Sequence, residues 1–136
     1  FFGHPEVYII FLPAAGLVSM MVASLARTEL VGYQLIVLAL LGTGFISFGV
    51  WAHHMFATGM PTLSVSFFSA ASMAVSIPAG IQVFSWIATL AIGKPSHNVP
   101  TLFVVGGLVT FVMGGLTGVM LAMVPFNWQA HDTHFI

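Results

Sequence analysis

The sequence predicts an all-α fold, a polytopic transmembrane helix bundle with about four spanning helices. Three observations predict it. Of 136 residues, 59% are hydrophobic and only 4% charged, where a soluble domain carries roughly a quarter charged residues. Four apolar runs each reach the about 20 residues that a spanning helix needs. Clusters of charge, glycine and proline separate those runs. Two cations and three carboxylates cannot clothe a water-facing surface, so lipid is the main solvent.

The first helix is expected at about 4–26 and ends at Arg27-Thr28-Glu29. The second runs over about 32–58 and is closed by Gly59-Met60-Pro61. A third covers about 63–92 and stops at Gly93-Lys94-Pro95. Ile77-Pro78-Ala79-Gly80 near its middle predicts a kink, because proline lacks an N–H and crowds the preceding turn. The fourth spans about 99–124, and an outer-side loop is expected over 125–136. Glycines at 106, 107, 114, 115 and 118 suit close helix packing, Gly114 and Gly118 forming a small-xxx-small pair. Trp86 and Trp128 read as interfacial anchors.

Composition also excludes. The charge balance, near zero, leaves nothing to neutralise phosphates, so nucleic acid is not a partner. With no cysteine, disulfides and thiolate metal sites are both ruled out. The start at Phe1 has neither a basic n-region nor a small-residue cleavage site. The hydrophobic pattern is already running there, and the polar cluster His131 to His134 breaks off at Ile136. The expectation is an interior piece of a longer polytopic protein.

Orientation follows from parity. The turns after helices one and three lie on one side and hold both cations, Arg27 and Lys94, which makes that side cytoplasmic or matrix. His4, the His53-His54 pair and the stretch from Asn127 to His134 then share the opposite, outer side.

An ionisable side chain within a span costs several kcal/mol and is a functional candidate by default. Helix one opens with His4-Pro5-Glu6-Val7-Tyr8. At about 100° per residue, His4 and Tyr8 share a face one turn apart, while Glu6 lies about 200° round and serves a different cavity. The bland alternative is a polar trio at a helix end. Helix two ends in Trp51-Ala52-His53-His54-Met55. Neighbouring histidines diverge by about 100° on a regular helix, so both reach one centre only if the helix distorts or ends there. Imidazole suits copper, zinc, iron and nickel alike, so three histidines at one depth suggest a metal without naming it. His97, in a Lys-Pro-Ser-His-Asn loop, reads as solvated. Ser69, Ser72 and Ser76, then Ala79 and Gln82, make one polar stripe, either helix-to-helix glue or a hydrogen-bonded proton path.

Gly3-His4-Pro5-Glu6-Val7-Tyr8 and Trp51-Ala52-His53-His54-Met55-Phe56 resemble motifs of subunit I of the cytochrome c oxidases, in the haem-copper terminal oxidase family. So do Ile77-Pro78-Ala79-Gly80, Val83-Phe84-Ser85-Trp86, Gly114-Gly115-Leu116-Thr117-Gly118 and His131-Asp132-Thr133. They occur in family order and spacing across the whole chain, which resembles the sixth to ninth spanning helices and the loop entering the tenth. The chain is then one part of a single transmembrane catalytic domain, in a bacterial cell membrane or mitochondrial inner membrane.

The resemblance implies roles. His4, His53 and His54 ligate copper. Tyr8, joined covalently to the His4 imidazole, supplies an electron and a proton, and Glu6 relays protons. Apart from the resemblance, the stripe of Ser72, Ser76 and Gln82 is expected to order water along a second proton path. His131 and Asp132 lie at a magnesium site, Asp132 also near the haem propionates. The implied reaction is reduction of oxygen to water, with electrons from cytochrome c through a dicopper centre on subunit II, alongside subunit III, coupled to proton translocation. The haem-ligating histidines of the family lie beyond Ile136.

Departures accompany the likeness. The lysine of the family's second proton path falls at Gln82, and the threonine before it at Ala79. Many members have an aspartate at Asn127, and His134 replaces a common aromatic. A quinol oxidase of the same superfamily is the nearest alternative. A nitric oxide reductase fits less well, because that enzyme lacks the tyrosine matching Tyr8. A transporter with proton- or zinc-binding histidines leaves the motif order unexplained.

Overall fold

The computed structural model describes residues 1–136 as six α-helices and one 3-10 segment. Helix α1 (Gly3–Ala26) is the first span. It stops where Arg27 takes a left-handed conformation (φ 55°) and its N–H turns back to the carbonyls of Ala23 and Ser24. Helix α2 (Tyr33–Ser47) starts after Gly32, whose φ of 67° is open to glycine at no steric cost.

The second expected span, 32–58, is not one helix. Helix α2 ends at Ser47, and a 3-10 segment, Trp51–Thr58, continues at a bend of 40°. Gly44 and Gly49 flank the break, and the Ser47 hydroxyl donates to the Gly44 carbonyl at 2.6 Å. Such back-bonding competes with the backbone ladder and bends helices.

The third span is likewise two helices, α3 (Thr62–Ala74) and α4 (Ser76–Ile92), with the break at Val75. Pro78 has no N–H for the Ala74 carbonyl and its ring crowds that turn, so the interruption falls ahead of the proline. Helix α5 (Val99–Ala122) opens on Asn98, whose Oδ1 accepts the Thr101 N–H at 3.0 Å. The expected loop at 125–136 begins instead as a short helix, α6 (Val124–Ala130). Pro125 ends one helix and starts the next, since the first turn has no use for its missing N–H. Three helical stretches are long and apolar enough to cross a membrane, and there are four if the bent pair counts as one span.

Helices α1, α2 and α4 pack around Ala15, Val22, Ile36 and Trp86. Trp86 is 3% exposed, and its indole N–H donates to Ser19 Oγ at 2.9 Å. The interfacial role expected for it is therefore wrong: a buried indole needs an internal acceptor, and Ser19 supplies one. The loop before α2 is tied to α4 where the Val31 N–H donates to Thr89 Oγ1 at 3.0 Å. At the same end Gly93 lies so close to α1 that a Cβ there would collide with the Ala26 carbonyl oxygen. The Lys94 N–H donates to that carbonyl at 3.0 Å. Arg27 and Lys94 thus sit at one end of the bundle, as parity requires. Helices α3 and α5 meet where Ser69 Oγ donates to the Ala122 carbonyl at 2.7 Å, satisfying one of the last carbonyls of α5.

Only 20 residues are buried, and the most apolar stretch of α5 contributes none of them. Most large side chains face outward, as befits helices solvated by lipid or by other helices. Within this chain the glycines of α5 pack against no other helix. A Cβ at Gly106, Gly107, Gly114, Gly115 or Gly118 would meet nothing within 4 Å.

Candidate metal and cofactor site

The irregular second span lets two adjacent histidines converge. Met55, at φ −118° and ψ 18°, leaves helical geometry just after them. The rings of His53 and His54 lie with centroids 4.3 Å apart and their Nε2 atoms 3.1 Å apart. His4, from the start of α1, brings Nδ1 to 3.1 Å from His54 Nε2. One ligand atom from each of the three histidines lies within 4.8 Å of the others. Two lone pairs cannot face each other at 3.1 Å without a proton or a cation between them, and three nitrogens about one point favour the cation. His4 is buried, His53 half-buried and His54 exposed.

The other nitrogen of His4, Nε2, is buried and has no hydrogen-bond partner. The ring of Tyr8, one turn along α1, lies against the His4 ring with centroids 4.5 Å apart, tilted by 65°. Ser72 on α3 holds the far side of His53, with Oγ 2.9 Å from Nδ1. The 3-10 segment is braced from outside, the Trp128 indole N–H donating to the Phe56 carbonyl at 2.9 Å.

These side chains open on a cavity of about 1010 Å³. It is lined by His4 and Tyr8 of α1, His53 and His54 of the 3-10 segment, Ser72 and Ser76 of α3 and α4, and Gly115 and Gly118 of α5. Asn127, His131 and Asp132 close the end nearest α6. His131 Nδ1 is 3.0 Å from Asp132 Oδ2, and both residues are exposed. Asn127 donates from Nδ2 to the Leu121 carbonyl at 3.1 Å.

Other singled-out residues lie elsewhere. Glu6 is exposed and outside the cavity, on the face of α1 that its angular offset requires. Gln82 is wholly buried and does not line the cavity, and neither its amide oxygen nor its nitrogen has a partner. His97 and His134 are exposed. The serine stripe divides three ways: Ser69 ties α3 to α5, Ser72 touches His53, and Ser76 donates to the Met73 carbonyl at 2.6 Å.

Sequence reasoning missed Thr43, 2% exposed, which lines the cavity and whose hydroxyl lacks a partner. Its signal was a lone hydroxyl between Gly42 and Gly44 in an apolar run.

A family model described as "Cytochrome C and Quinol oxidase polypeptide I" matches residues 1–136. Cytochrome c oxidase polypeptide 1 of Halobacterium salinarum is 45% identical over 136 residues, which is 100% of this chain and 23% of the relative. Cytochrome c oxidase subunit 1 of Alkalihalophilus pseudofirmus is 46% identical over 135 residues, 99% of this chain and 22% of the relative. Quinol oxidase subunit 1 of Bacillus subtilis is 44% identical over 134 residues, 98% and 21% respectively. The chain spans less than a quarter of the length of each.

Proposed function

The chain belongs to the cytochrome c and quinol oxidase polypeptide I family, subunit I of the haem-copper oxidases, and on that premise we propose that it builds the copper side of an oxygen-reducing centre. The observation that carries the proposal is the convergence of His4 Nδ1, His53 Nε2 and His54 Nε2 at the wall of the large cavity. Neutral imidazoles suit copper, and these three residues would hold it. The cavity is at the top of the roughly 300–1,000 Å³ range of small-molecule sites. Gly115 and Gly118 line it without side chains. That volume fits a haem, whose axial histidines would come from other parts of the protein. Copper and haem iron bound here would supply the electrons that reduce oxygen to water.

The chain's own residues do the remaining work. His4 offers Nδ1 to the metal and leaves Nε2 for Tyr8. A bond between that nitrogen and the Tyr8 ring removes one hydrogen from each side chain, with oxygen as the two-electron acceptor. The Tyr8 hydroxyl is then the proton donor held at the cavity. Glu6, on the opposite face of α1, relays protons for chemistry and translocation by a separate route. The fit to magnesium is poor. Magnesium takes oxygen ligands in octahedral geometry, and the one carboxylate at the cavity, Asp132, is already engaged by His131. Subunit II with its dicopper centre and subunit III complete the assembly, with cytochrome c as the donor. Quinol is the second reading, supported by quinol oxidase relatives at 44% identity, within the range of the cytochrome c oxidases. Steady-state oxidation of reduced cytochrome c against a quinol by the purified complex separates the two.

The test of the centre is replacement of His53 or His54 by Ala in the full-length enzyme. Copper is expected to be lost and haem largely kept, because affinity depends on ligand count and geometry. Full copper occupancy with normal turnover in both variants would sink the proposal.

A further inference from the structure

The 3-10 segment that presents His53 and His54 is eight residues long, Trp51–Thr58. Hydrogen bonds in that helix type have poor geometry, and runs longer than about 3–4 residues are uncommon. Contacts from outside must therefore hold it. At its end Gly59 turns away at φ 82°, and no backbone N–H returns to the Phe56 carbonyl. Phe56 is 2% exposed, so that carbonyl needs a partner within the protein. The Trp128 indole N–H on α6 supplies it at 2.9 Å, from 72 residues along the chain. Resting on the copper reading above, we propose that Trp128 is a positioning residue. Its indole N–H holds the histidine segment in the 3-10 form that lets His53 and His54 reach one metal.

Trp128 is 59% exposed, so its ring buries little and the bond is what ties it to the segment. Helix α6 is a firm base for that bond. The Asn127 side chain donates to the Leu121 carbonyl at 3.1 Å, and Ser69 Oγ reaches the neighbouring Ala122 carbonyl from α3. A line of bonds thus runs from α3 through the end of α5 and α6 to Phe56, just past the histidine pair. Released from it, the segment relaxes toward α-helical geometry, in which consecutive imidazoles diverge by about 100°. His4, on α1, does not depend on this strut.

The test compares Trp128→Phe with Trp128→Gln in the full-length complex. Phenylalanine keeps a ring and loses the donor. Glutamine loses the ring and keeps a donor, its amide nitrogen as many bonds from Cα as the indole nitrogen is. One readout is copper per haem after dialysis against graded copper chelator, with haem content as the measure of folding. The other is the infrared stretch of carbon monoxide on the reduced copper, which reports its ligand geometry. The Phe variant is expected to lose copper at about tenfold lower chelator concentration, and the copper it keeps to show a shifted stretch. The Gln variant is expected to stay near the parent in both. Parental retention and stretch in the Phe variant overturn the proposal. So does loss in the Gln variant, alone or equal to that in Phe, since the N–H would then not be the support. Haem lost together with copper overturns it too, because Trp128 would then hold the fold at large. His53→Ala is carried alongside. If it retains copper, the copper reading itself has failed; if it alone loses copper, only the role of Trp128 falls.

Discussion

Gly115 and Gly118 are a perturbation point at which stability and occupancy move in opposite directions. A Cβ at either position meets no atom within 4 Å, so the bundle itself has room for side chains there. Glycine in a helix interior costs about 1 kcal/mol relative to alanine. Changing both to Ala therefore raises the stability of the cofactor-free protein by up to about 2 kcal/mol. Leu at 118 grows instead into the cavity that His4, His53 and His54 also line. If a haem fills that space, the added carbons overlap it, and overpacking of about 1–3 kcal/mol lowers occupancy roughly five- to 150-fold. The assay is haem and copper per protein for the full-length Gly118→Leu enzyme, together with thermal midpoints of loaded and stripped samples. Loaded Gly118→Leu enzyme with parental haem content and an unshifted haem spectrum would refute the assignment of the cavity.

Three further outcomes are expected. Peptides spanning Phe1 to Phe11 from active enzyme should be lighter by two hydrogens, as a His4–Tyr8 bond requires; mass spectra with only the unmodified peptide refute the crosslink. Glu6→Gln should keep haem and copper yet lose most oxygen consumption and all proton translocation, and unchanged pumping in vesicles would assign the relay to another group. Gln82→Leu removes a buried amide whose two polar atoms lack partners, which should stabilise the protein by about 1–3 kcal/mol. If that amide is retained for proton delivery, the same variant slows reduction of the active-site haem; stopped-flow traces that match the parent leave Gln82 without a part in conduction.

Apolar length and punctuation made the spans legible, because lipid forces every backbone group to be paired within a helix. Side-chain fates inside the bundle were harder to read. Trp86 looked like an interfacial anchor until Ser19, 67 residues away in sequence, proved to accept its N–H. The α5 glycines looked like packing residues because small-xxx-small spacing has that use, but within this chain Gly115 and Gly118 line the cavity that the three histidines also line. Ser69, Ser72 and Ser76 share a spacing, and Ser72 and Ser76 a cavity, but the three hydroxyls go to different partners.

The two interruptions of the helical ladder carry the deeper regularity. Backbone that leaves the helix within a membrane is tolerated where it is buried in protein or lines a cavity. The 3-10 segment contributes His53 and His54 to the cavity wall, and the break at Val75 contributes Val75 itself and Ser76. Both departures from ideal geometry thus open on the same space. The bend after α2 brings two consecutive imidazoles to one point, which a straight helix forbids. The break after α3 lies one turn beyond Ser72, whose hydroxyl holds the first of those imidazoles. A bundle selected only for packing would gain by straightening both spans. That neither is straight, and that both breaks open on one cavity, ties the local irregularity of the chain to the centre it surrounds.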